Sequence, residues 1–489
     1  MGPILNSYPD SMAGSLKEIV KLLQRPEFMN TFSGYYILPS LYHSDLDRGF
    51  SVQDYGLETS LATIEDLEAL KKMGIQLKLD FILNHCSVLS PQFQDLIKNG
   101  ENSRYKDFFI NWNEFWKDAG EMNEEGVIIP DDKYLSLMFF RKPGLPLLQV
   151  EFPDGKKVPY WNTFSSEVKE ENGKKTYLGQ MDVNIQSPLV WQFYDETLKQ
   201  LADYGASIVR LDAFAYAPKQ VGKPNFLNEP ETWDTLSKVS KFADKYNLQL
   251  LPEIHASYSE KKYEIIGNKG YLVYDFFLPG LLIHATMAHD PTYLYNWANE
   301  IIDKGLKTVN MLGCHDGIPV LDLKGLLPEE QIQKTMKYIV DNGGYVKNLD
   351  GKKNMYYQVN ATYFSALGEE EQKLIFCRAI QMFMPGTPQV WYLDLFAGIN
   401  DYEALERGHK EINRTNLSWE YMEDLLEEGI VLKQLQLLRL RNTHPIFKDY
   451  DDLQVIMEDH SLVFMYLKGE HSLTLIADFD DYSFSICEE

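Results

Sequence analysis

Cysteine is scarce in this sequence, and basic residues are outnumbered. The four cysteines, Cys86, Cys314, Cys377 and Cys487, are scattered and form no CxxC pair, which argues against a disulfide framework and a zinc site. The chain has 47 basic and 72 acidic residues, a formal net charge of −25, and no basic stripe that would bind nucleic acid or an anionic membrane. We therefore expect neither nucleic acid nor a membrane as a partner.

Long apolar runs are also absent. Charged residues interrupt every hydrophobic stretch before the ~20 residues that a membrane-spanning helix needs. The N-terminal segment MGPILNSYPD lacks the basic and apolar parts of a signal peptide, so we expect a soluble, unexported, cytoplasmic protein. Apolar residues are plentiful: 44% of the 489 residues are hydrophobic and 13% are aromatic. A chain of this length and composition can form the core of one large barrel or of two to three domains.

Short β-rich segments alternate along the chain with amphipathic helical segments such as SLKEIVKLLQ, TIEDLEALKKMG, WQFYDETLKQLADYG and TWDTLSKVSKFADKY. The candidate strands are PILNSY, GYYILPS, IQLKLDFILN, ASIVRLDAF, LQLLPEIH, YLVYDFFLP, KTVNMLGCHD and TPQVWYLDL. Repeated strand–helix units imply parallel pairing with right-handed crossovers, and eight of them close into a (β/α)₈ TIM barrel of the α/β class. The alternative, a doubly wound sheet, usually opens with a Gly-rich phosphate loop that this sequence lacks.

Two segments between candidate strands are too long for ordinary loops. Residues 86–179 are rich in aromatic residues and irregular, and residues 317–363 contain one clear helical pattern, GLLPEEQIQKTMKYIV. Insertions after barrel strands usually build the wall of an active site. The segments LQVIMED, SLVFMYLKG and SLTLIADFD predict a small antiparallel β domain. The predicted division is 1–85 (barrel), 86–179 (insertion domain B), 180–316 (barrel), 317–363 (second insertion), 364–444 (barrel end) and 445–489 (C-terminal β domain).

Polar side chains cluster at the predicted carboxyl ends of four strands. They are Asp80, Asn84 and His85 on one strand, Arg210 and Asp212 on another, Glu253 and His255 on a third, and His315 and Asp316 on a fourth. The carboxyl ends of barrel strands converge on one mouth, so these groups are expected to share a pocket. A single aspartate at a strand end is more often a helix cap or a surface ion-pair partner, but four coincident strands favour a functional site.

Three carboxylates at such a mouth, Asp212, Glu253 and Asp316, suit glycoside cleavage, which needs an ionised nucleophile and a proton donor. Arg210, two residues before Asp212 and on the same strand face, would keep that carboxylate ionised. A metal-dependent barrel hydrolase is a second interpretation, because His and Asp at strand ends also bind Zn²⁺ or Mn²⁺. No HxH or HxxxH spacing occurs among His85, His255, His284 and His315, and this argues against the metal-dependent hydrolase.

The segments around these residues resemble the four short motifs of the α-amylase superfamily: DFILNH, GASIVRLDAFAY, LLPEIH and CHD. Further segments resemble one branch, the sucrose phosphorylase subfamily of glycoside hydrolase family 13. They are DRGFSVQDYG, WNTFSSE, QMDVN, YDFFLP, CHDGIPV, YYQVNATYFSALG, PGTPQVWYLDLFAGIND and EINR. The matches follow in order along nearly the whole chain.

That resemblance implies a retaining glucoside phosphorylase, a hexosyltransferase acting on sucrose or a similar α-glucoside. Asp212 would attack C1 of the glucosyl unit, Glu253 would protonate the leaving oxygen, and Asp316 would stabilise the transition state. Phosphate in place of water would then release α-glucose 1-phosphate from the covalent glucosyl-enzyme. The resemblance implies these substrate-binding residues: Asp47, Phe50, His85, Phe164, Gln180, Arg210, His255, His315, Tyr357, Gln358 and Arg414. Core packing is the alternative role of the two phenylalanines.

Phosphate capture requires cations or backbone N–H groups, because the pocket is lined by carboxylates. The segment FRKPGLP places Arg141 and Lys142 in the first insertion, near the position of a phosphate-contacting arginine in the family. A solvated basic pair is the alternative. The backbone N–H groups around Tyr356 and Tyr357 are further candidates.

The sequence departs from the sucrose phosphorylase pattern on the side of the leaving group. Family members usually read NLDLYQ before Gln358, whereas this chain reads KNMYYQ, so Met355 replaces an aspartate that helps to hold fructose. Gly313 replaces the aspartate expected two residues before the catalytic His–Asp pair, and Asp45 is an added acidic residue. The leaving group therefore stays open among fructose, fructose 6-phosphate, glycerol and glycerate.

Two rival functions remain at this point. A retaining α-glucosidase or transglucosidase is the nearer one, because water and phosphate compete for the same intermediate. A non-catalytic transporter partner is opposed by the presence of all three carboxylates. We expect no metal or organic cofactor, since carboxylates can supply nucleophile, acid and base. Homodimers are common among the proteins it resembles, but composition indicates no oligomeric state.

Overall fold

The computed structural model describes residues 1–171, 174–346, 358–427 and 429–489. Its strands are β1 (Ile4–Ser7), β2 (Gly34–Ile37), β3 (Tyr42–Ser44), β4 (Val52–Leu57), β5 (Gln76–Ile82), β6 (His85–Ser87), β7 (Gly120–Met122), β8 (Ile128–Pro130), β9 (Leu147–Glu151), β10 (Lys157–Trp161), β11 (Ser166–Glu171), β12 (Lys174–Asp182), β13 (Ala206–Asp212), β14 (Gln249–Pro252), β15 (Val273–Asp275), β16 (Thr308–Met311), β17 (Ile318–Pro319), β18 (Gln358–Val359), β19 (Thr387–Trp391), β20 (Asp452–Glu458), β21 (Ser461–Lys468), β22 (His471–Asp478) and β23 (Phe484–Glu488).

Its α-helices are α1 (Leu16–Leu23), α2 (Ile64–Lys72), α3 (Pro91–Asn99), α4 (Trp112–Trp116), α5 (Asp132–Leu135), α6 (Pro188–Asp203), α7 (Glu231–Lys245), α8 (Lys262–Asn268), α9 (Leu278–Ala288), α10 (Thr292–Asp303), α11 (Glu329–Asp341), α12 (Tyr363–Ala366), α13 (Glu371–Phe383), α14 (Tyr392–Leu395), α15 (Trp419–Glu427) and α16 (Gly429–Thr443). The helices α1, α2, α6, α7 and α11 confirm the five helical patterns that the sequence predicts. In α6, a proline at the first position and an apolar stripe at a spacing of three to four explain the helix and its buried face.

Eight parallel strands form one nearly closed sheet in the order β14-β13-β5-β2-β1-β19-β16-β15. Leu5 of β1 lies opposite Tyr35 of β2, and Val309 of β16 lies opposite Thr387 of β19. These are the eight strands that the sequence predicts, so the (β/α)₈ barrel is confirmed. Strand β5 is buried on both faces, as expected for a parallel barrel sheet. Leu77, Leu79 and Phe81 on one face and Lys78 and Asp80 on the other are at most 1% exposed.

The first insertion is more regular than the sequence predicts. It contains β6–β11 and α3–α5, built around an apolar cluster that includes Trp112, Trp116 and Trp161. The indole N–H of Trp112 donates to the Ile128 carbonyl at 2.7 Å, which joins α4 to β8. The expectation of an irregular segment is wrong because most of these elements span only three to six residues, too few for a periodic pattern to emerge.

The C-terminal sheet is antiparallel, as predicted, but it has one strand more. Its order is β20-β21-β22-β23. Alternate residues of β21, Leu462, Phe464 and Tyr466, are buried, which is the period-two pattern that made the sheet predictable. Strand β23 was not predicted because SFSICEE is largely polar. In the structure, Ile486 of β23 pairs with Leu475 of β22.

The described chain divides into two compact units. The first unit comprises Met1–Ile37, Glu65–Leu77 and Ile254–Glu489, and the second comprises Leu38–Ile64 and Lys78–Glu253. This division is coarser than the predicted domain boundaries, which stay a prediction. Within the described ranges, none of the helices is long and apolar enough to cross a membrane.

Candidate active site

One arginine contacts three carboxylates in the second unit. Nη1 of Arg210 lies 2.6 Å from Oδ1 of Asp80 and 2.9 Å from Oδ1 of Asp212, and Nη2 lies 2.8 Å from Oε1 of Glu253. We call these four residues the carboxylate cluster. The side chain of Arg210 is 3% exposed, while those of Asp212 and Glu253 are 13% exposed. The two carboxylates predicted as nucleophile and acid are therefore neighbours and partly accessible.

Strand geometry accounts for the cluster. Arg210 and Asp212 lie two residues apart on β13 and project to the same face. The N–H of Leu83 donates to the Asp212 carbonyl at 3.1 Å, and the N–H of Glu253 donates to the Leu211 carbonyl at 3.2 Å. These bonds set the ends of β5, β13 and β14 side by side. Ala213, directly after Asp212, has φ of 52°, a left-handed conformation that is unfavourable for alanine and typical of functional sites.

The carbonyl oxygen of Phe50 joins three of the predicted substrate-binding residues. It accepts hydrogen bonds from His85 Nε2 at 2.9 Å and from Gln180 Nε2 at 3.2 Å. The Phe50 ring lies over Arg210, with 5.6 Å between its centroid and Cζ. Burial lowers the pKa of His85, so its imidazole is neutral near pH 7. Phe50, His85 and Gln180 thus form one wall next to the carboxylate cluster.

Asp47 lies in the tight turn before Phe50. Its backbone has φ of 51°, that of Arg48 has φ of 48°, and that of Gly49 has φ of 110°. A Cβ on Gly49 would lie 2.0 Å from the Ser40 nitrogen, so only glycine fits there. Asp47 itself is exposed.

Phe164 and Arg141 belong to an aromatic group beside His85. The Phe164 ring lies 5.2 Å from that of His85 and 5.1 Å from that of Tyr216, and Cζ of Arg141 lies 5.7 Å from the Phe164 centroid. Burial raises the pKa of Tyr216 to about 12, and the charge of Arg141 opposes this rise. The structure thus brings Arg141 to the same aromatic group as Phe164.

Lys142 lies close to a polar network. Its ammonium donates to Oδ1 of Asn162 and, at 3.4 Å, to Oγ of Ser166. Burial lowers the pKa of Lys142 to about 8, and the charge of Asp182 opposes the shift. A fully solvated lysine, the alternative interpretation, would keep the usual lysine pKa, whereas burial lowers the pKa of Lys142.

A buried ion pair that was not predicted from the sequence also belongs to this network. Nζ of Lys219 lies 2.6 Å from Oδ2 of Asp182 and also donates to Oδ1 of Asn84 at 3.0 Å. Burial would raise the pKa of Asp182, but Lys219 and Thr163 outweigh it and hold the pKa below its usual value. Asp182 stood in the matched segment QMDVN, so its motif was a signal, whereas Lys219 follows its motif and gave none.

Asp316 lies in the first unit beside His315, Lys410 and Arg414. Lys410 Nζ lies 2.5 Å and Arg414 Nη2 3.7 Å from Oδ1 of Asp316, and His315 Nε2 lies 3.3 Å from Oδ2. Burial would raise the pKa of Asp316, but His315, Lys410 and Arg414 outweigh it and hold the pKa well below its usual value. Asp316 is therefore ionised at neutral pH. Lys410 was missed, although it directly precedes the matched segment EINR.

His255 lies in the first unit and is held on two sides. Its Nδ1 lies 3.3 Å from Oδ2 of Asp322, and its ring stacks on Phe276 with 3.9 Å between centroids. Gln358 lies on β18, which pairs with β17. Tyr356, Tyr357 and Met355 lie outside the described residues. The predicted roles of all these side chains in substrate binding stay predictions.

The comparisons with known proteins cover the whole chain. The α-amylase catalytic-domain family matches residues 10–276. The sucrose 6(F)-phosphate phosphorylase of Ilumatobacter coccineus is 52% identical, over 99% of this chain and 95% of that protein. The sucrose phosphorylase of Streptococcus mutans is 33% identical, over 91% of this chain and 89% of that protein.

A solved structure gives the same result. The crystal structure of sucrose 6F-phosphate phosphorylase from Thermoanaerobacter thermosaccharolyticum superimposes with a TM-score of 0.90 and 31% identity, covering 100% of this chain and 95% of that one. A barrel with acidic strand ends would fit many hydrolases, but these full-length matches narrow the choice. The chain belongs to the sucrose phosphorylase subfamily of the α-amylase family.

Proposed function

We propose that this chain is a retaining phosphorylase of sucrose 6-phosphate, phosphorylated on the fructose, and releases α-glucose 1-phosphate and fructose 6-phosphate. The reaction class, phosphorolysis of an α-glucoside, is common to the relatives named for sucrose and for glucosylglycerol. The 52% identity with a sucrose 6(F)-phosphate phosphorylase, which extends over nearly the full length of both proteins, carries the choice of substrate.

The carboxylate cluster supplies the two groups that a retaining reaction needs. A carboxylate oxygen of Asp212 attacks C1 of the glucosyl unit while the bond from C1 to the fructosyl oxygen breaks, and Glu253 donates its proton to that oxygen. A phosphate oxygen then attacks C1, the ester bond to Asp212 breaks, and Glu253 recovers a proton from phosphate. The contact of both carboxylates with one guanidinium supports this pairing, because retention requires them to be close.

Arg210 couples the two steps electrostatically. Asp212 and Glu253 share the Arg210 guanidinium, so the charge on one carboxylate affects the other. When Asp212 becomes an ester it loses its charge, so the Arg210 guanidinium compensates one carboxylate fewer. Glu253 then acts as the base in the second step. Asp316, held ionised by its cationic neighbours, stabilises the positive charge that develops on the sugar ring.

The leaving-group side of the sequence supports a phosphorylated sugar. Residues 347–357 contain three lysines, Lys347, Lys352 and Lys353, against one aspartate, Asp350. Met355 also replaces an acidic residue that would repel a phosphate group. Residues 347–357 thus have an excess of positive charge, although the whole chain has a net charge of −25. Binding of a neutral fructose would not need such a local positive charge.

A substrate panel tests the proposal. Glucose 1-phosphate release is measured with sucrose 6-phosphate, sucrose, glucosylglycerol and glucosylglycerate, each with and without inorganic phosphate. We expect kcat/KM for sucrose 6-phosphate to exceed that for sucrose by about 100-fold or more, in line with charge-assisted recognition. A higher kcat/KM for any other member of the panel would overturn the substrate assignment. Equal release of free glucose with and without phosphate would overturn the phosphorylase itself.

Charge-removing variants test which residues select the substrate. Lys352→Ala combined with Lys353→Ala should raise KM for sucrose 6-phosphate about tenfold and leave the constants for sucrose unchanged. Lys334→Ala is the matched control, because Lys334 forms an exposed ion pair with Glu330 on α11. An equal effect of the double variant on both substrates would refute phosphate recognition by this segment.

A further inference from the structure

Four side chains hold the backbone of the segment that carries Asp316. This segment, residues 313–316, follows β16. The Gly313 N–H donates to Asp394 at 2.7 Å. The next three carbonyls accept hydrogen bonds at 2.8 Å: Cys314 from Asn413, His315 from Arg414, and Asp316 from Asn360. Asp394 is the only acceptor among these four side chains and the only one with a carboxylate.

Asp394 also fills the space beside Gly313. A Cβ on residue 313 would lie 2.8 Å from Oδ2 and 2.9 Å from Oδ1 of Asp394, closer than real Cβ contacts. The two residues follow adjacent parallel strands, since β16 pairs with β19 and Asp394 lies on α14 directly after β19. A side chain at position 313 would therefore displace the carboxylate of residue 394 from its present place.

The surroundings of Asp394 are built for a carboxylate. Asp394 is fully buried. Burial raises its pKa to about 6, while the Arg378 guanidinium and the N–H groups of Gly313 and Tyr363 oppose the rise. Gln434 accepts from Arg378 Nε at 2.9 Å and donates to the Asp394 carbonyl at 3.2 Å. A buried carboxylate costs free energy unless it has such partners, so an apolar residue would be the cheaper filler of this space.

We propose that Asp394 is a positioning residue for Asp316. By binding the Gly313 N–H and occupying the space beside it, the carboxylate of Asp394 fixes the start of the 313–316 segment and hence the direction of the Asp316 side chain. Asp394 does not touch the substrate and acts through the backbone. The role of Asp316 in stabilising the transition state rests on the proposed function.

The steric conflict between a side chain at position 313 and the carboxylate of Asp394 provides a specific test. Asp394→Ala removes the acceptor, and Gly313→Asp places a second carboxylate against Asp394. The double variant Gly313→Asp with Asp394→Gly moves the carboxylate from position 394 to position 313. We expect Asp394→Ala to lower kcat for glucose 1-phosphate formation by about 100-fold with KM changed less than threefold, the pattern of a misplaced transition-state contact.

Two comparisons separate positioning from stability. Asp394→Asn keeps an acceptor for the Gly313 N–H and should retain kcat within about tenfold. Leu475→Ala in the buried face of β22 should lower the denaturation midpoint and leave kcat unchanged at temperatures where the variant is folded. The double variant should recover about tenfold or more in kcat over Gly313→Asp and over Asp394→Ala.

The outcomes are decisive in both directions. An Asp394→Ala variant that loses stability but keeps kcat within about threefold, or a double variant no more active than Gly313→Asp and Asp394→Ala, overturns the positioning role. If the wild-type protein forms no glucose 1-phosphate, the proposed function is wrong, but the positioning role of Asp394 can still be tested. The same variants are then compared by aryl α-glucoside hydrolysis and by their denaturation midpoints. Absence of coupling between positions 313 and 394 in those readouts overturns this inference.

Discussion

At the residue scale, Arg210 is the positive charge that the three carboxylates of the carboxylate cluster share. It is almost fully buried and compensates Asp80, Asp212 and Glu253. Because Arg210→Met leaves buried carboxylates without their partner, it should lower the free energy of unfolding by about 3–5 kcal/mol in urea denaturation. Arg25→Met is the matched control. Arg25 also faces two carboxylates, Glu27 and Glu423, but at 31% exposure, so the change should stay below about 1 kcal/mol. Equal losses would contradict the account of the carboxylate cluster.

Lys142 predicts a pH dependence. Its pKa of about 8 lies below the usual lysine value because the ammonium is buried, so the side chain loses its positive charge as the pH rises through 8. If the cation receives phosphate, KM for phosphate should rise about tenfold between pH 7 and pH 9. Lys142→Arg, which stays charged over this range, should flatten that rise. A steep rise that persists in the arginine variant would remove Lys142 from phosphate binding.

At the element scale, the turn that carries Asp47 and Phe50 depends on a glycine. Gly49 has a positive φ, and a Cβ on this residue would clash with a neighbouring backbone nitrogen. Gly14 also has a positive φ, of 86°, but the space around it is open. Gly14→Ala should therefore cost about 1–2 kcal/mol of unfolding free energy from conformation alone. Gly49→Ala adds a steric clash worth about 1–3 kcal/mol more and should also lower kcat/KM, because it displaces Phe50. Indistinguishable variants would show that the turn does not position Phe50.

The elements also show what a sequence can predict. The eight barrel strands and the acidic groups at their ends could be predicted, because strand period and parallel topology are local signals that add up along the chain. The contacts that shape the site could not. Asp80 and Arg210 are 130 residues apart, Asp316 and Lys410 are 94 apart, and Gly313 and Asp394 are 81 apart. No local pattern indicates such pairs, and the short elements of the first insertion carry too few residues to show one.

At the scale of the whole molecule, the net charge of −25 opposes the approach of the two proposed anionic substrates, phosphate and sucrose 6-phosphate. Salt shortens the reach of this repulsion, since the Debye length falls from about 30 Å at 0.01 M to about 8 Å at 0.15 M. Added sodium chloride in that range should therefore lower KM for phosphate and for sucrose 6-phosphate severalfold. Neutral sucrose provides the control, and its KM should not change. A KM for phosphate that rises with salt would show that local cations dominate the approach.

The most direct measurement of the central claim is the stereochemistry and phosphate dependence of the product, followed by NMR with sucrose 6-phosphate and inorganic phosphate. We expect α-glucose 1-phosphate as the first product, formed in equal amount with fructose 6-phosphate and lost in the Asp212→Asn variant. A β-anomeric product would contradict the covalent intermediate on Asp212. Free glucose formed at the same rate without phosphate would contradict phosphorolysis.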